Sequence, residues 1–332
     1  AAPRTRRAVA GWDAQRMTAD IAEFGVGERL RERKFEVNRS DVVRYAGASG
    51  DFNPLHYDDT AARAAGMAGS FAHGMFSAGC LASTLTDAAG VDSLSRFAVR
   101  FRAQARLGAT LTSGVVVREV RLESHSVFVE LDCSLIDDDG TVVVSGSATA
   151  ATPSWPPPGS DVAPPPRSSG LVGTRLTPAV VTVERGPAQA FAAAIKDDSP
   201  LYRSTAAAAA AGLDAIPIPP TFVFAVANFG TFAEQQPPAP ADSATLVELI
   251  AALRDGRNGA VLHGEQSFAY HAPVRVGHVL HVGGHCETVE EKAAGNGRPG
   301  MTVMVVRTDY RNGSGELLTT ARSSYVFRPP PR

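Results

Sequence analysis

Gly50-Asp51-Phe52-Asn53-Pro54-Leu55-His56 sets a carboxylate and an imidazole five residues apart around an Asn-Pro turn. A second turn signal, Ala65-Gly66-Met67-Ala68-Gly69, leads into Phe71-Ala72-His73-Gly74-Met75 and a helix of small residues. Pro54 fixes its own φ and biases Asn53 away from the helical region, so the loop has few ways to splay. Asp and Asn also bond their own backbone in such turns, which gives a purely structural reading of the same residues. The His-Gly-Met helix start downstream tips the reading toward chemistry. A glycine at a helix N-terminus offers a free N–H, a favourable dipole and close access to the backbone.

The pattern Gly50, Asp51, Asn53, Pro54, Leu55, His56, followed by His73-Gly74-Met75, resembles the signature of the MaoC-like, R-specific hydratase and dehydratase family. The resemblance implies syn addition of water to a trans-2-enoyl thioester, or its removal from a (3R)-hydroxyacyl thioester. That reaction needs a group to deprotonate water, a proton for C2 and donors for an enolate-like oxygen. It assigns Asp51 and His56 to the shared water and the Gly74 N–H to the thioester oxygen. Asn53, Tyr45, His73, Met75 and Phe71 are the expected substrate-side residues, with Asn53 shaping the loop and His73 either lining the site or capping the helix. Two alternatives stay open. One is dehydration of a branched, dicarboxylic or polyketide acyl thioester. The other is a non-catalytic protein that only binds acyl thioesters.

Working outward, a chain of 332 residues is long enough for two domains. With 44% hydrophobic and 20% charged residues it can bury an ample core, and its net charge of −2 gives no reason to expect nucleic acid or an anionic membrane. No apolar run reaches the ~18 residues of a membrane span. Residues 1–20 show scattered arginines without an apolar core, so no secretory signal and a cytoplasmic location are expected. Cys80, Cys133 and Cys286 are an odd, widely spaced set without a CxxC pair, as expected of reduced thiols. The chain does not begin with Met, which suggests processing, trimming or excision from a longer polypeptide.

Along the chain, residues 1–20 are expected to be a tail. Residues 30–37 alternate as an edge strand, and Ser40-Asp41 starts a short helix turning Val42, Val43, Tyr45 and Ala46 inward. Asp58-Asp59-Thr60 starts a helix that stops at Gly66, and residues 73–89 form a smooth, buried helix ending at Gly90. Valine-rich runs at 96–102, 111–119, 126–135 and 142–149 read as antiparallel strands, with a hairpin at Asp137-Asp138-Asp139-Gly140. A strand, a central helix and an antiparallel run match the hotdog fold that the resemblance implies. Residues 153–174 are a Pro-rich linker.

The second half repeats the first. Ser199-Pro200-Leu201-Tyr202 aligns with Asn53-Pro54-Leu55-His56 at an offset of 146, which also pairs Asp51 with Asp197, Tyr45 with Phe191, Val37 with Val183 and Gly66 with Gly212. After an insertion, Arg275-Val276-Gly277 matches Arg106-Leu107-Gly108, and Tyr270 matches Phe101. Tyr202 stands for His56, and Pro220, which has no N–H, stands for Gly74. This copy resembles a FAS1-like, non-catalytic dehydratase half.

The expected architecture is therefore α+β: a double hotdog, with residues 21–152 a catalytic MaoC-like domain and 175–332 a degenerate one, acting as a pseudo-dimer in a monomer or homodimer. A shortened second central helix, around residues 221–230, is expected to leave room for a long acyl chain, lidded by the insert at 246–254. The expected partners are an acyl-CoA or an acyl carrier protein substrate, with arginines 96, 100 and 102 candidates for the carrier's phosphates. No cofactor and no metal are expected. His278 and His281 would point to opposite faces of a strand, and His263 is expected near the substrate tunnel.

Overall fold

The computed structural model describes residues 21–123, 126–152, 170–293 and 300–329. The expected tail at 1–20 and most of the expected linker at 153–174 lie outside the described residues.

In the first half, β1 (Lys34–Glu36) leads to α1 (Arg39–Ser49), α2 (Asp59–Ala64) and α3 (Gly74–Ala89). The strands β2 (Leu94–Phe101), β3 (Thr110–Glu123), β4 (Ser126–Ile136) and β5 (Val142–Thr152) follow. The second half has β6 (Arg175–Leu176), β7 (Ala179–Thr182), α4 (Arg185–Ala194) and α5 (Thr205–Ala210). Beyond them come β8 (Ser243–Ala244), α6 (Leu246–Arg254), β9 (Ala260–Tyr270), β10 (Val279–Lys292), β11 (Met301–Arg311) and β12 (Leu317–Arg328).

One 12-stranded sheet runs β1-β3-β4-β5-β2-β9-β12-β11-β10-β6-β8, with β7 on β10. Read outward from the β2–β9 seam, the two halves present the same order: 2-5-4-3-1 against 9-12-11-10-7. This is a double hotdog. The seam is antiparallel, with Phe97 opposite Phe268 and Val99 opposite Gln266. Its continuity places the α1 loop of the first half beside the sheet of the second.

The repeat extends to single hydrogen bonds. Gly108 and Gly277 both take positive φ, and their N–H groups donate to Val37 and Val183. Phe71 bridges Arg106 as Pro217 bridges Arg275. The offset of 146 before the insertion becomes 279 − 110 = 169 after it, so the second copy carries 23 more residues in the stretch that contains α6.

The central helix α3 is buried from Met75 through Thr86 and stops at Gly90, as its smooth composition implies. It passes very close to the second half: a Cβ on Gly79 would lie 2.5 Å from Ile195 Cγ2. The corresponding stretch of the second half is only two short 3₁₀ turns, Pro220–Phe224 and Val226–Asn228. Two expectations need correction. The edge strand is three residues long, not eight, although it does lie at the edge. Val43 is 57% exposed, because the inward stripe of α1 is Val42, Tyr45, Ala46 and Ser49, spaced i, i+3, i+4, i+7. Leu249 and Leu253 of α6 pack on Cys286, Met304, Val306, Tyr325 and Phe327, a cluster separate from the main core.

Candidate active site

Helix α1 ends at Gly50, whose φ of 73° turns the chain out of the helix while its N–H still bonds Ala46. The loop that follows is tied by its own side chains. Asp51 N–H donates to Ser49 Oγ at 3.2 Å, and Asn53 N–H donates to Asp51 Oδ1 at 3.1 Å. Asn53 Oδ1 accepts from Leu55 N–H at 3.1 Å, capping the 3₁₀ turn Pro54–His56. This is the local conformation that an Asp-x-Asn-Pro sequence dictates, and it leaves Asp51 Oδ2 available. The second turn is held separately, with Ser70 N–H and Oγ on Asp59, whose carboxyl is pulled down to about 2 chiefly by those bonds.

The two turns bring Asp51, His56 and His73 together, with one ligating atom of each within 4.8 Å of the others. His56 Nδ1 lies 2.9 Å from the Phe71 carbonyl. A carbonyl only accepts, so Nδ1 carries the proton and Nε2 of neutral His56 keeps its lone pair. His73 Nε2 likewise donates to the Asp51 carbonyl at 3.0 Å, and its Nδ1 is buried without a hydrogen-bond partner among the described residues. His73 does not cap α3 with its side chain; it braces the loop from below.

The imidazoles of His56 and His73 lie against each other with centroids 3.8 Å apart, tilted by 33°. Burial lowers the His56 pKa, opposed by the Phe71 carbonyl and the Asp51 carboxylate. His73 falls to about 4, mainly through burial and then through the facing His56. Both rings are therefore neutral near pH 7.

Gly74 opens α3, where the first N–H groups have no intrahelical acceptor. The Phe101 ring lies over it, so a Cβ there would be 3.1 Å from the ring. Phe71 meets His56 edge-on at 5.0 Å. Tyr45 and Met75 are 1% and 4% exposed and pack in the core, Tyr45 against His73 at 5.0 Å. They support the rings from behind.

The second half closes over the other side. His263 lies between Phe224 and Tyr325, with Phe101 edge-on at 5.1 Å. Burial drops it to about 4, and its Nε2 has no hydrogen-bond partner among the described residues. Phe224 and Tyr325 carried no signal in the sequence, since their relation to the loop exists only once the halves pair.

At the corresponding place in the second copy the loop geometry persists with different side chains. Asp197 Oδ1 accepts from Ser199 N–H at 3.0 Å, and burial pushes its carboxyl up to about 6. Tyr202 is fully buried and its hydroxyl is pushed well up by burial. Pro220 has no N–H, and its carbonyl is taken by the Tyr270 hydroxyl at 3.2 Å.

One carboxylate and two imidazoles can hold a divalent cation, and Asp51, His56 and His73 form the one such group among the described residues. His56 Nδ1 and His73 Nε2 are already committed to carbonyls, so only His56 Nε2, His73 Nδ1 and the Asp51 carboxylate remain for a ligand. His278, His281 and His285 form no such group. Arg100 pairs with Glu265 across the seam and Arg102 donates to Ser145, both exposed. No helix among the described residues is long and apolar enough to cross a membrane.

Two family models match the chain, one in each half. Residues 23–138 match the MaoC like domain and 170–321 the FAS1-like, dehydratase domain region. An (R)-specific enoyl-CoA hydratase of Rhodospirillum rubrum is 32% identical over 119 residues, which is 35% of this chain and 81% of that protein. A UPF0336 protein of Saccharopolyspora erythraea is 30% identical over 164 residues, 49% of this chain and 92% of that one. Among solved structures, a conserved hypothetical protein of Mycobacterium tuberculosis described as a double hotdog superimposes with a TM-score of 0.65 at 14% identity. That match covers 92% of this chain and 98% of the other, and it concerns the fold alone.

Proposed function

We propose, for a chain that belongs to the MaoC-like dehydratase family, reversible (R)-specific hydration of trans-2-enoyl thioesters, with residues 21–152 as the working half and 175–332 as the silent one. The observation that carries this reading is the juxtaposition of Asp51 and neutral His56 beside the free N-terminus of α3. His56 Nε2 is the base: it takes a proton from a water oriented by Asp51 as the water oxygen bonds to C3. The imidazolium, stabilised by the Asp51 carboxylate, returns that proton to C2, so that H and OH add to the same face. The electron pair of the double bond passes into the thioester and is held at its oxygen by Gly74 N–H. Dehydration runs the same steps backwards.

The substrate is a thioester of a phosphopantetheine arm, on CoA or on an acyl carrier protein, and the silent half supplies the wall that His263, Phe224 and Tyr325 form. The test is loss of enoyl-thioester ultraviolet absorbance over a series of chain lengths, with chiral analysis of the product. Formation of (3R)-hydroxyacyl product supports the reading. Tight binding without turnover would instead favour an acyl-thioester carrier or sensor.

A further inference from the structure

The second half does more than wall the site, because it grips the helix that carries the reactive loop at both ends. At the C-terminal end of α1, Asn228 Nδ2 donates to the Ser49 carbonyl at 2.8 Å, across 179 residues of chain. Asn228 also sits directly on Gly50: a Cβ at position 50 would lie 2.7 Å from Asn228 Cβ. At the N-terminal end, Asp41 caps α1 by accepting from Asn38 N–H at 2.9 Å. Lys196 pairs with that carboxylate at 2.8 Å and also donates to the Glu36 carbonyl.

The repeat makes the arrangement informative. Under the offset of 146, Lys196 is the counterpart of Gly50, and both adopt a left-handed backbone, at φ 59° and 73°. A side chain is therefore compatible with this turn in one copy. At Gly50 the added obstacle is a residue of the other half, Asn228.

We propose that Asn228 is a positioning residue for the reaction: by fixing the Ser49 carbonyl and packing on Gly50, it sets where the Asp51 carboxylate stands relative to His56. Ser49 is the pivot, since its carbonyl takes the Asn228 bond while its Oγ takes the Asp51 N–H. This rests on the hydratase reading for its consequence, though not for its geometry. The silent copy is thus part of the working site, and a first half alone would carry the right residues in a looser loop.

The test uses Asn228→Asp, which keeps the shape but offers only oxygen acceptors to the Ser49 carbonyl, with Asn228→Ala as the second variant. Hydrogen exchange over residues 46–57 and steady-state hydration of an enoyl thioester are measured on the full chain. In Asn228→Asp, amides of that segment are expected to exchange at least about fivefold faster, and kcat to fall about tenfold or more with KM little changed. The melting temperature should stay near that of the parent. Unchanged exchange overturns the proposal whatever the activity, and so does a fall in kcat explained by a matching fall in folded fraction. If exchange rises but the parent chain hydrates no enoyl thioester, the clamp stands and the hydratase reading fails.

Discussion

Adding one methyl group at Gly79 should change sign in its effect on stability when a single residue of the other half is trimmed. In the parent chain, alanine at this interior helical position gains about 1 kcal/mol of helix propensity. Its Cβ, however, would sit 2.5 Å from Ile195 Cγ2, closer than real contacts come, and 3.1 Å from Ile195 Cβ, which is tight but possible. Both positions lie in the packed core between α3 and the second half, with Ile195 0% exposed. Overpacking of this kind costs about 1–3 kcal/mol, so Gly79→Ala should destabilise by about 1 kcal/mol net. In an Ile195→Ala background the 2.5 Å contact is gone and only the 3.1 Å approach to the Cβ is left, which a shift of a few tenths of an ångström relieves. The same change should then keep most of the propensity gain and stabilise by about 1 kcal/mol. The coupling between the two positions is then about 2 kcal/mol, well outside the additivity expected of unconnected sites. Urea denaturation of the parent, both single variants and the double variant closes the cycle. Additive effects would refute the docking of the two halves through α3, and so would a Gly79→Ala change that stabilises in both backgrounds.

Other outcomes follow from the buried charges and rings. His73 and His263 have folded pKa values of about 4, below the unfolded value of about 6.5. The unfolded chain therefore binds more protons below pH ~6.5, so their contribution is complete above that pH and is lost as pH falls from ~6.5 toward 4. Denaturation midpoints should drop through this window, and less steeply in His263→Phe; a flat profile would contradict the burial. Arg275 is 6% exposed at its side chain and makes a two-pronged contact with Asp92 of the first half, as well as bonding Asp214. Arg275→Ala leaves Asp92 without its partner and should cost about 2–4 kcal/mol, below the fully buried case because Asp92 is 31% exposed. A loss under about 0.5 kcal/mol by calorimetry would show that the pair is a solvated surface contact. Since His56 is lowered from its ordinary value by burial, the acid limb of kcat/KM for hydration should fall below pH ~6.5. An acid limb above neutrality would point to a different base.

How much of this was visible in the residues alone depended on whether the determinant was local. The Asn53-Pro54 turn, the start of α3 after His73 and its stop at Gly90 are dictated by neighbours in sequence, and they appear where the sequence puts them. The duplicated architecture was legible because the offset of 146 survives in turn residues, which tolerate few substitutes. Val43 was misjudged because apolar character was read without the helical period; its neighbours Val42, Tyr45 and Ala46 already cover the inward face. The length of β1 depends on which residues find partners on β3, and the packing of α6 on Cys286, Met304 and Phe327 depends on strands far from it in sequence. Neither is encoded within a window of ten residues. The Asn228 bond to Ser49 belongs to the same class, since nothing near position 228 announces a partner 179 residues away. His73 braces the loop and does not cap α3 with its side chain because the Asp51 carbonyl, which only the folded loop supplies, accepts its Nε2–H.

The account stands or falls on whether the carboxylate of Asp51 and the ring of His56 act as one device on one water. The direct measurement is the hydration rate of a trans-2-enoyl thioester by Asp51→Asn, His56→Gln and the double variant, each checked for parental melting behaviour. Each single change should lower kcat by about a hundredfold or more, with the double variant little worse than the poorer single. A folded single variant that keeps more than about a tenth of the parent rate would contradict it.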